Sequence, residues 1–422
     1  MRAAGGSLTC EVDLISRITL VTVVMPSAHS AFGANGRGHD DGVIHPVTDP
    51  SALPSPETAA SLPRAARAAL AVGSDWLGSW QPTSALVVVA VLLVALTIVR
   101  SMPRRGWLNR RPGRRRRWPA VVGAVVTLVL AGGFAVNTQV GYVPNTSAAW
   151  LLMTGDRTVA RAGTGELRSR TIAVPAALRM PASVTWVYTP PGYDAAAGVR
   201  YPVVYLLHGT PGQSSDWSTG GDIAHVMDVL IAEALVRPMI IVAPEVNGAG
   251  QDDSECLNST RGGSQVETYL NDVVVPWTDA NYATLADWQH RVIGGMSSGG
   301  FCALDQGLRH PELYGSIIAL EPYGDPGSGG RAMLSTPAEL AAHSPALYLP
   351  TMTFAHPVAA FLDVGGLGGG GPGSAVAPLV AQLRARGQDV LFRTEPHQTH
   401  NWTMARLGIP YGLVFVSEHM PT

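Results

Sequence analysis

Ser297 lies in the run Gly295-Met296-Ser297-Ser298-Gly299, with an apolar stretch before it, Arg291–Gly294, and a helix-like stretch after it, Gly299–Leu304. A serine between a strand and a helix, with small residues two before and two after, fits a sharp elbow that lifts its hydroxyl out of a sheet. The same turn would bring the Ser298 backbone N–H beside that hydroxyl, where a developing oxyanion needs a donor. A serine hydroxyl is a weak nucleophile at neutral pH. It needs a base within hydrogen-bond reach, and the base needs an orienting partner.

The base is expected in a loop after the last strand. There the chain reads Pro396-His397-Gln398-Thr399-His400-Asn401-Trp402, and His400 is the candidate, with His397 a surface competitor. A second oxyanion donor is expected after Pro202–Leu207, where His208-Gly209-Thr210-Pro211-Gly212 places the Thr210 N–H. Eight carboxylates lie between Ser297 and His400: Asp305, Glu312, Glu321, Asp325, Glu339, Asp363, Asp389 and Glu395. An orienting acid belongs at the carboxyl end of a strand, which selects Asp363 first and Asp325 second. Cys256 and Cys302 are either a disulfide pinning a polar loop to the elbow helix or two separate buried thiols. Cys10 is left over. Cysteine spacing fits no zinc motif, the His397/His400 pair has no third metal ligand in view, and no cofactor is expected.

Positioning these groups requires a sheet. Strands are expected at Glu166–Val174, Ser183–Thr189, Tyr201–Leu207, Met239–Pro244, Arg291–Gly294, Ser316–Leu320, Ala359–Val364 and Val390–Glu395. Helices are expected at Ile223–Val236, Glu267–Ala283, Gly300–Arg309, Pro337–Ala342, Ala377–Arg386 and after His400. Two early strands followed by β-α alternation predict an α/β domain, its sheet mostly parallel and its helices on both faces.

The chain has 422 residues and only 14% of them are charged. All 29 basic residues are arginine, which excludes a lysine Schiff base, a P-loop lysine and a Ser-Lys dyad. Residues 1–140 hold 14 Arg against 7 acids, and residues 141–422 hold 15 Arg against 24 acids. The acidic C-terminal part is therefore not expected to bind nucleic acid. Trp76–Val99 and Trp118–Val136 are uncharged and long enough to span a bilayer, and residues 100–117 between them carry nine arginines. An arginine-rich loop between two apolar spans is a positive-inside signature. Three regions follow. Residues 1–75 hold a signal-like segment (1–33) and a flexible linker. Residues 76–140 form a transmembrane hairpin with a cytoplasmic loop, and 141–422 form the α/β domain on the extracytoplasmic side. Residues 1–33 equally fit a poor membrane helix or a mis-chosen start, because Glu11 and Asp13 precede the apolar run Ile18–Met25.

Taken together, Y-L-L-H-G at 205–209 with Asp216-Trp217, Glu267-Thr268-Tyr269-Leu270 ahead of Val275-Pro276-Trp277, the elbow I-G-G-M-S-S-G-G-F-C-A-L, R-H-P-E-L-Y-G at 309–315 and T-H-N-W at 399–402 resemble the esterase D and mycolyltransferase-like α/β hydrolases. The hairpin looks like that of membrane-anchored actinobacterial members. The resemblance covers about residues 150–422. It implies an α/β-hydrolase fold, Ser297 as nucleophile, His400 as base and ester hydrolysis or acyl transfer on an acyl-ester or glycolipid substrate. The sequence departs from the family at the acid. Many members carry G-x-x-D after the strand that holds Asp363, and here Gly365-Gly366-Leu367 runs into Gly368. The mycolyltransferases use a Glu on the following helix, and Ala375–Arg386 has no acid. Either Asp363 or Asp325 substitutes, or the triad is incomplete and the protein is a weak or inactive member that binds envelope carbohydrate or lipid.

Overall fold

The computed structural model describes residues 62–72, 75–99, 118–154, 163–248, 253–367 and 375–421. The signal-like segment, most of the linker, the arginine-rich loop 100–117 and the glycine run 368–374 lie outside the described residues, as does Cys10. The described residues all fall in one compact unit, Asp49–Thr422.

Eight strands form one sheet: β1 (Glu166–Ile172), β2 (Ser183–Thr189), β3 (Val203–Leu207), β4 (Ile240–Ala243), β5 (Arg291–Met296), β6 (Ser316–Leu320), β7 (Ala359–Gly365) and β8 (Asp389–Glu395). Each lies within two residues of its expected span. The order is β1-β2-β4-β3-β5-β6-β7-β8. β1 and β2 pair antiparallel, β2 meets β4 antiparallel, and every pairing from β4 through β8 is parallel. Parallel strands are covered on both faces, so they read as continuous apolar runs. β3 shows the consequence of the two-residue side-chain period. Val203, Tyr205 and Leu207 enter one core, and Val204 and Leu206 enter the other. The first core lies under the elbow helix, Ser298–Arg309. The second lies under helix Ile223–Ala232 and the C-terminal helix, Trp402–His419.

Among the described residues, four α-helices precede the sheet: α1 (Arg64–Val72), α2 (Gln81–Val99), α3 (Trp118–Val140) and α4 (Thr146–Thr154). α2 and α3 pack on each other and are long and apolar enough to cross a membrane. At about 1.5 Å per residue they measure roughly 29 and 35 Å. A core helix of a water-soluble domain would be mostly buried, whereas here Val91, Leu92, Val125 and Val129 all face outward.

Candidate active site

Ser297 joins β5 to the elbow helix with φ 62° and ψ −123°. A non-glycine residue in that region carries strain of about 1–3 kcal/mol, and the surrounding backbone holds it there. Its N–H donates to the Leu320 carbonyl at 3.0 Å, and its carbonyl accepts from Phe301 N at 2.9 Å. The two flanking glycines are required by close approach. A Cβ on Gly295 would lie 2.2 Å from the Gly299 oxygen, and one on Gly299 would lie 2.2 Å from the Leu207 oxygen. The elbow is thus pressed directly against the end of β3.

That end carries the loop His208–Gly212. A Cβ on Gly209 would stand 3.0 Å from the Ser297 Cβ. Ser298 Oγ donates to Thr210 Oγ1 at 3.1 Å, which ties the two residues expected to supply oxyanion donors. Ser298 is the first residue of its helix, where N–H groups have no intrahelical acceptor. The loop is braced from below. Buried His208 has Nε2 2.9 Å from Glu245 Oε1 and Nδ1 2.9 Å from the Gly209 carbonyl. Burial works against a charge on His208, but Glu245 outweighs it and the histidine is raised from its ordinary value. Burial opposes the charge on Glu245 in turn, and the bond to His208 prevails and lowers it. Each shift runs in the direction that the contact between the two side chains dictates. Glu245 also accepts from the backbone N–H groups of Ser214 and Asn247.

His400 is exposed in the loop after β8, and Nδ1 stands 3.6 Å from Glu321 Oε2. Glu321 follows β6 directly, in a left-handed conformation with φ 51°. Its N–H donates to the Asp363 carbonyl at 2.8 Å, and its Oε1 accepts from Gly365 N at 2.7 Å. One carboxylate oxygen is thereby fixed by backbone and the other faces the histidine. Asn401, the next residue after His400, caps the C-terminal helix by accepting from Met404 N at 2.9 Å.

Asp363 and Asp325, the two acids expected to orient His400, make other contacts. Asp363 is fully buried and still inside β7, with its Oδ2 3.0 Å from Arg393 Nη1. Arg393 also pairs with Glu395 at 2.9 Å and lies over the Tyr411 ring. The Asp363 carboxylate therefore belongs to an ion cluster facing the C-terminal helix. Asp325 is turned outward and accepts from Gly327 N. Among the described residues, the carboxylate within 4 Å of His400 is that of Glu321. In the sequence Glu321 is one of eight acids between Ser297 and His400 and is not among the two preferred. The usable signal was its place immediately after Leu320, the last residue of β6. His397 is exposed with φ 62°.

Cys256 and Cys302 form a disulfide, with Cα atoms 5.5 Å apart. It joins the loop Asp253–Asn258 to the elbow helix. Asp253, the first residue of this loop, is half-buried. Next to it, both oxygens of buried Glu255 lie 2.7 Å from the Tyr323 hydroxyl. Burial, with the charge of Asp253 adding to it, pushes Glu255 up to about 9. A cavity of about 690 Å³ is lined by Asp253 together with Arg179, Ser259, Arg261, Gly329 and Met333, among others. No group of three or more metal-ligating side chains occurs among the described residues.

Comparison with known proteins places the chain in a family and a fold. A family model described as Esterase matches residues 180–402. A protein of Xylanibacter ruminicola named endo-1,4-beta-xylanase/feruloyl esterase is 33% identical over 132 residues, which is 31% of this chain and 18% of that protein. An esterase of Mycobacterium tuberculosis is 33% identical over 132 residues, 31% of this chain and 27% of its own. An uncharacterized protein of Corynebacterium glutamicum is 30% identical over 146 residues, covering 35% and 34%. The chain thus spans about a fifth to a third of the length of these curated relatives. Among solved structures, a ferulic acid esterase superposes with TM-score 0.51 at 22% identity, over 61% of this chain and 99% of that one. An S-formylglutathione hydrolase from Agrobacterium tumefaciens gives 0.52 at 17%, over 62% and 98%. Both share the α/β-hydrolase fold with its mostly parallel sheet.

Proposed function

This chain belongs to the esterase family, and from that premise we propose that it is a membrane-anchored serine esterase or acyltransferase whose catalytic domain lies outside the cytoplasm. The observation that carries the reading is the strained Ser297 elbow, set against the oxyanion loop and accompanied by the His400–Glu321 pair.

The chemistry runs as acyl transfer through the enzyme. Ser297 Oγ attacks the ester carbonyl carbon as His400 takes its proton, and the carbonyl oxygen becomes an oxyanion facing the Thr210 and Ser298 N–H groups. Glu321 stabilises the imidazolium and fixes its ring. The intermediate collapses, the alcohol leaves with the proton from His400, and the acyl group remains on Ser297. Water, or a hydroxyl of an acceptor, then attacks with His400 as base and frees the serine.

Two features support the location. The spans α2 and α3 flank nine arginines, which favours a cytoplasmic loop and an exterior domain. The Cys256–Cys302 disulfide suits an oxidising compartment. The alternative of an inactive binding module rests on a missing acid, and the Glu321 carboxylate 3.6 Å from His400 favours the enzyme reading.

The test is covalent labelling. The full chain in detergent is treated with a fluorophosphonate and mapped by peptide mass, beside Ser297→Ala. Labelling at Ser297 that disappears in the variant is expected. A folded chain that takes no label would overturn the esterase reading.

A further inference from the structure

The end of the second membrane helix is built into the segment that carries the candidate base. The Gln139 carbonyl accepts from Asn401 Nδ2 at 3.1 Å, one residue beyond His400. The Gly141 carbonyl accepts from Arg406 at 2.9 Å, and the space a Cβ on Gly141 would fill is taken by Thr403. Tyr142 donates to Asp216 at 2.7 Å and sets its ring edge against Trp402, which packs on Trp217. No free linker separates α3 from the hydrolase domain. Their junction contacts Asn401, the residue that follows His400.

The depth of this junction follows from length. α3 measures roughly 35 Å against a hydrocarbon core of about 30 Å, so its last turn reaches the headgroups. Its polar run Asn137-Thr138-Gln139 falls at that end. There the Asn137 amide donates to the Leu77 and Val143 carbonyls, and Thr138 donates to Phe134. Exposed aromatic and apolar side chains gather at the same end. Trp76 and Trp80 precede or open α2, and Asp75 binds this corner to Pro144 and Thr146. α4 then turns Trp150, Leu152 and Met153 outward, with Met153 74% exposed. Half-exposed tryptophans beside the mouth of a spanning helix mark a membrane–water boundary, and a short apolar helix next to them suits the interface plane.

We infer that this face of the domain rests on the bilayer and that the ester consumed by Ser297 is an acyl lipid held in the same leaflet, reached sideways at headgroup depth. This deepens the esterase reading and rests on it. His400 stands one residue from a side chain bonded to the end of α3, and the ester carbonyls of acyl lipids lie at that boundary between headgroup and chain. The occupant of the Trp150–Met153 face is the lipid surface itself, continuous with the hairpin that crosses it.

The test uses the full chain reconstituted in liposomes of an ether-linked phosphatidylcholine, which has no carboxylic ester to cut. A 4-methylumbelliferyl palmitate probe is placed either in the same liposomes or in separate ones. At least a tenfold higher turnover of the probe in the shared bilayer is expected. Trp150→Ser combined with Met153→Ser should reduce that ratio at least threefold. Fluorophosphonate labelling of Ser297 is read in the same preparations. Equal turnover in the two placements, or a ratio indifferent to the double substitution, with Ser297 labelled, would overturn the inference and leave the esterase reading standing. Loss of labelling in a folded wild-type chain would sink both.

Discussion

The Glu321 carboxylate and the His400 ring face each other at 3.6 Å across the gap between two strand ends, β6 and β8, with β7 lying between them. The separation exceeds a hydrogen bond, as catalytic pairs often do before substrate closes them. Gly365 N, at the end of the intervening strand, holds Glu321 Oε1 and so aims the second oxygen at His400.

Removing the Glu321 charge should therefore cost catalysis and little else. Glu321→Gln is expected to lower kcat by about 10⁴-fold with KM nearly unchanged, the effect of leaving the imidazole in the wrong tautomer. Steady-state kinetics on a soluble short-chain ester would read it. Asp325→Asn, at an exposed side chain that accepts from Gly327 N, should stay within a factor of about two of wild type.

Asp363 is expected to behave in the opposite way. Removing its carboxylate leaves the Arg393 guanidinium, 9% exposed, with Glu395 alone. Breaking a buried pair by deleting one partner costs about 3–5 kcal/mol, and the remaining Glu395 argues for the lower figure. Asp363→Ala should lower Tm by roughly 5–10 °C while the fraction that remains folded still labels at Ser297. A stable Asp363→Ala protein with no labelling would restore Asp363 as the acid.

The contrast between these two acids shows what the sequence made legible. Each expected strand lies near an observed one because apolar runs bounded by turn residues are a local signal, and the elbow at Ser297 is legible because Gly295 and Gly299 flank it in the sequence, although the contact that forces Gly299 is with the end of β3. Asp363 and Glu321 both sit near strand ends. Which one faces His400 depends on the left-handed turn at Glu321 and on the pairing of Leu320 with Asp363, and neither leaves a local mark. The same holds for the bond between Tyr142 and Asp216, 74 residues apart, which seats the hairpin on the domain.

Glu255 should make stability depend on pH. Burial holds its folded carboxyl at about 9, well above the ordinary 4.5. Between those values the folded chain keeps a proton that the unfolded chain has released. Stability attributable to this group therefore falls as pH rises through that window and levels off above it. Glu255→Gln retains an uncharged group of the same shape beside Tyr323. The variant is expected to match wild type near pH 5 and to exceed its Tm by several degrees at pH 9. Parallel Tm curves from pH 5 to 9 would show that Glu255 ionises freely in the folded chain.

Gly299 carries the contact on which the oxyanion geometry depends. A methyl there meets the Leu207 oxygen at 2.2 Å and the His208 oxygen at 2.6 Å, both backbone atoms that cannot rotate away. Relief requires the elbow helix to withdraw from β3 by about an ångström, which also parts the Ser298 N–H from the loop bearing Thr210. Overpacking of this kind costs about 1–3 kcal/mol, and a misplacement of that size costs about 10²-fold in rate. Gly299→Ala is thus expected to slow fluorophosphonate labelling of Ser297 at least 100-fold even at temperatures where the chain stays folded. Gly132→Ala is the matched control. It lies in α3 with nothing within 4 Å of the added methyl, and should leave the labelling rate unchanged. If both variants label at the wild-type rate, the close seating of the elbow against β3 does not set the chemistry.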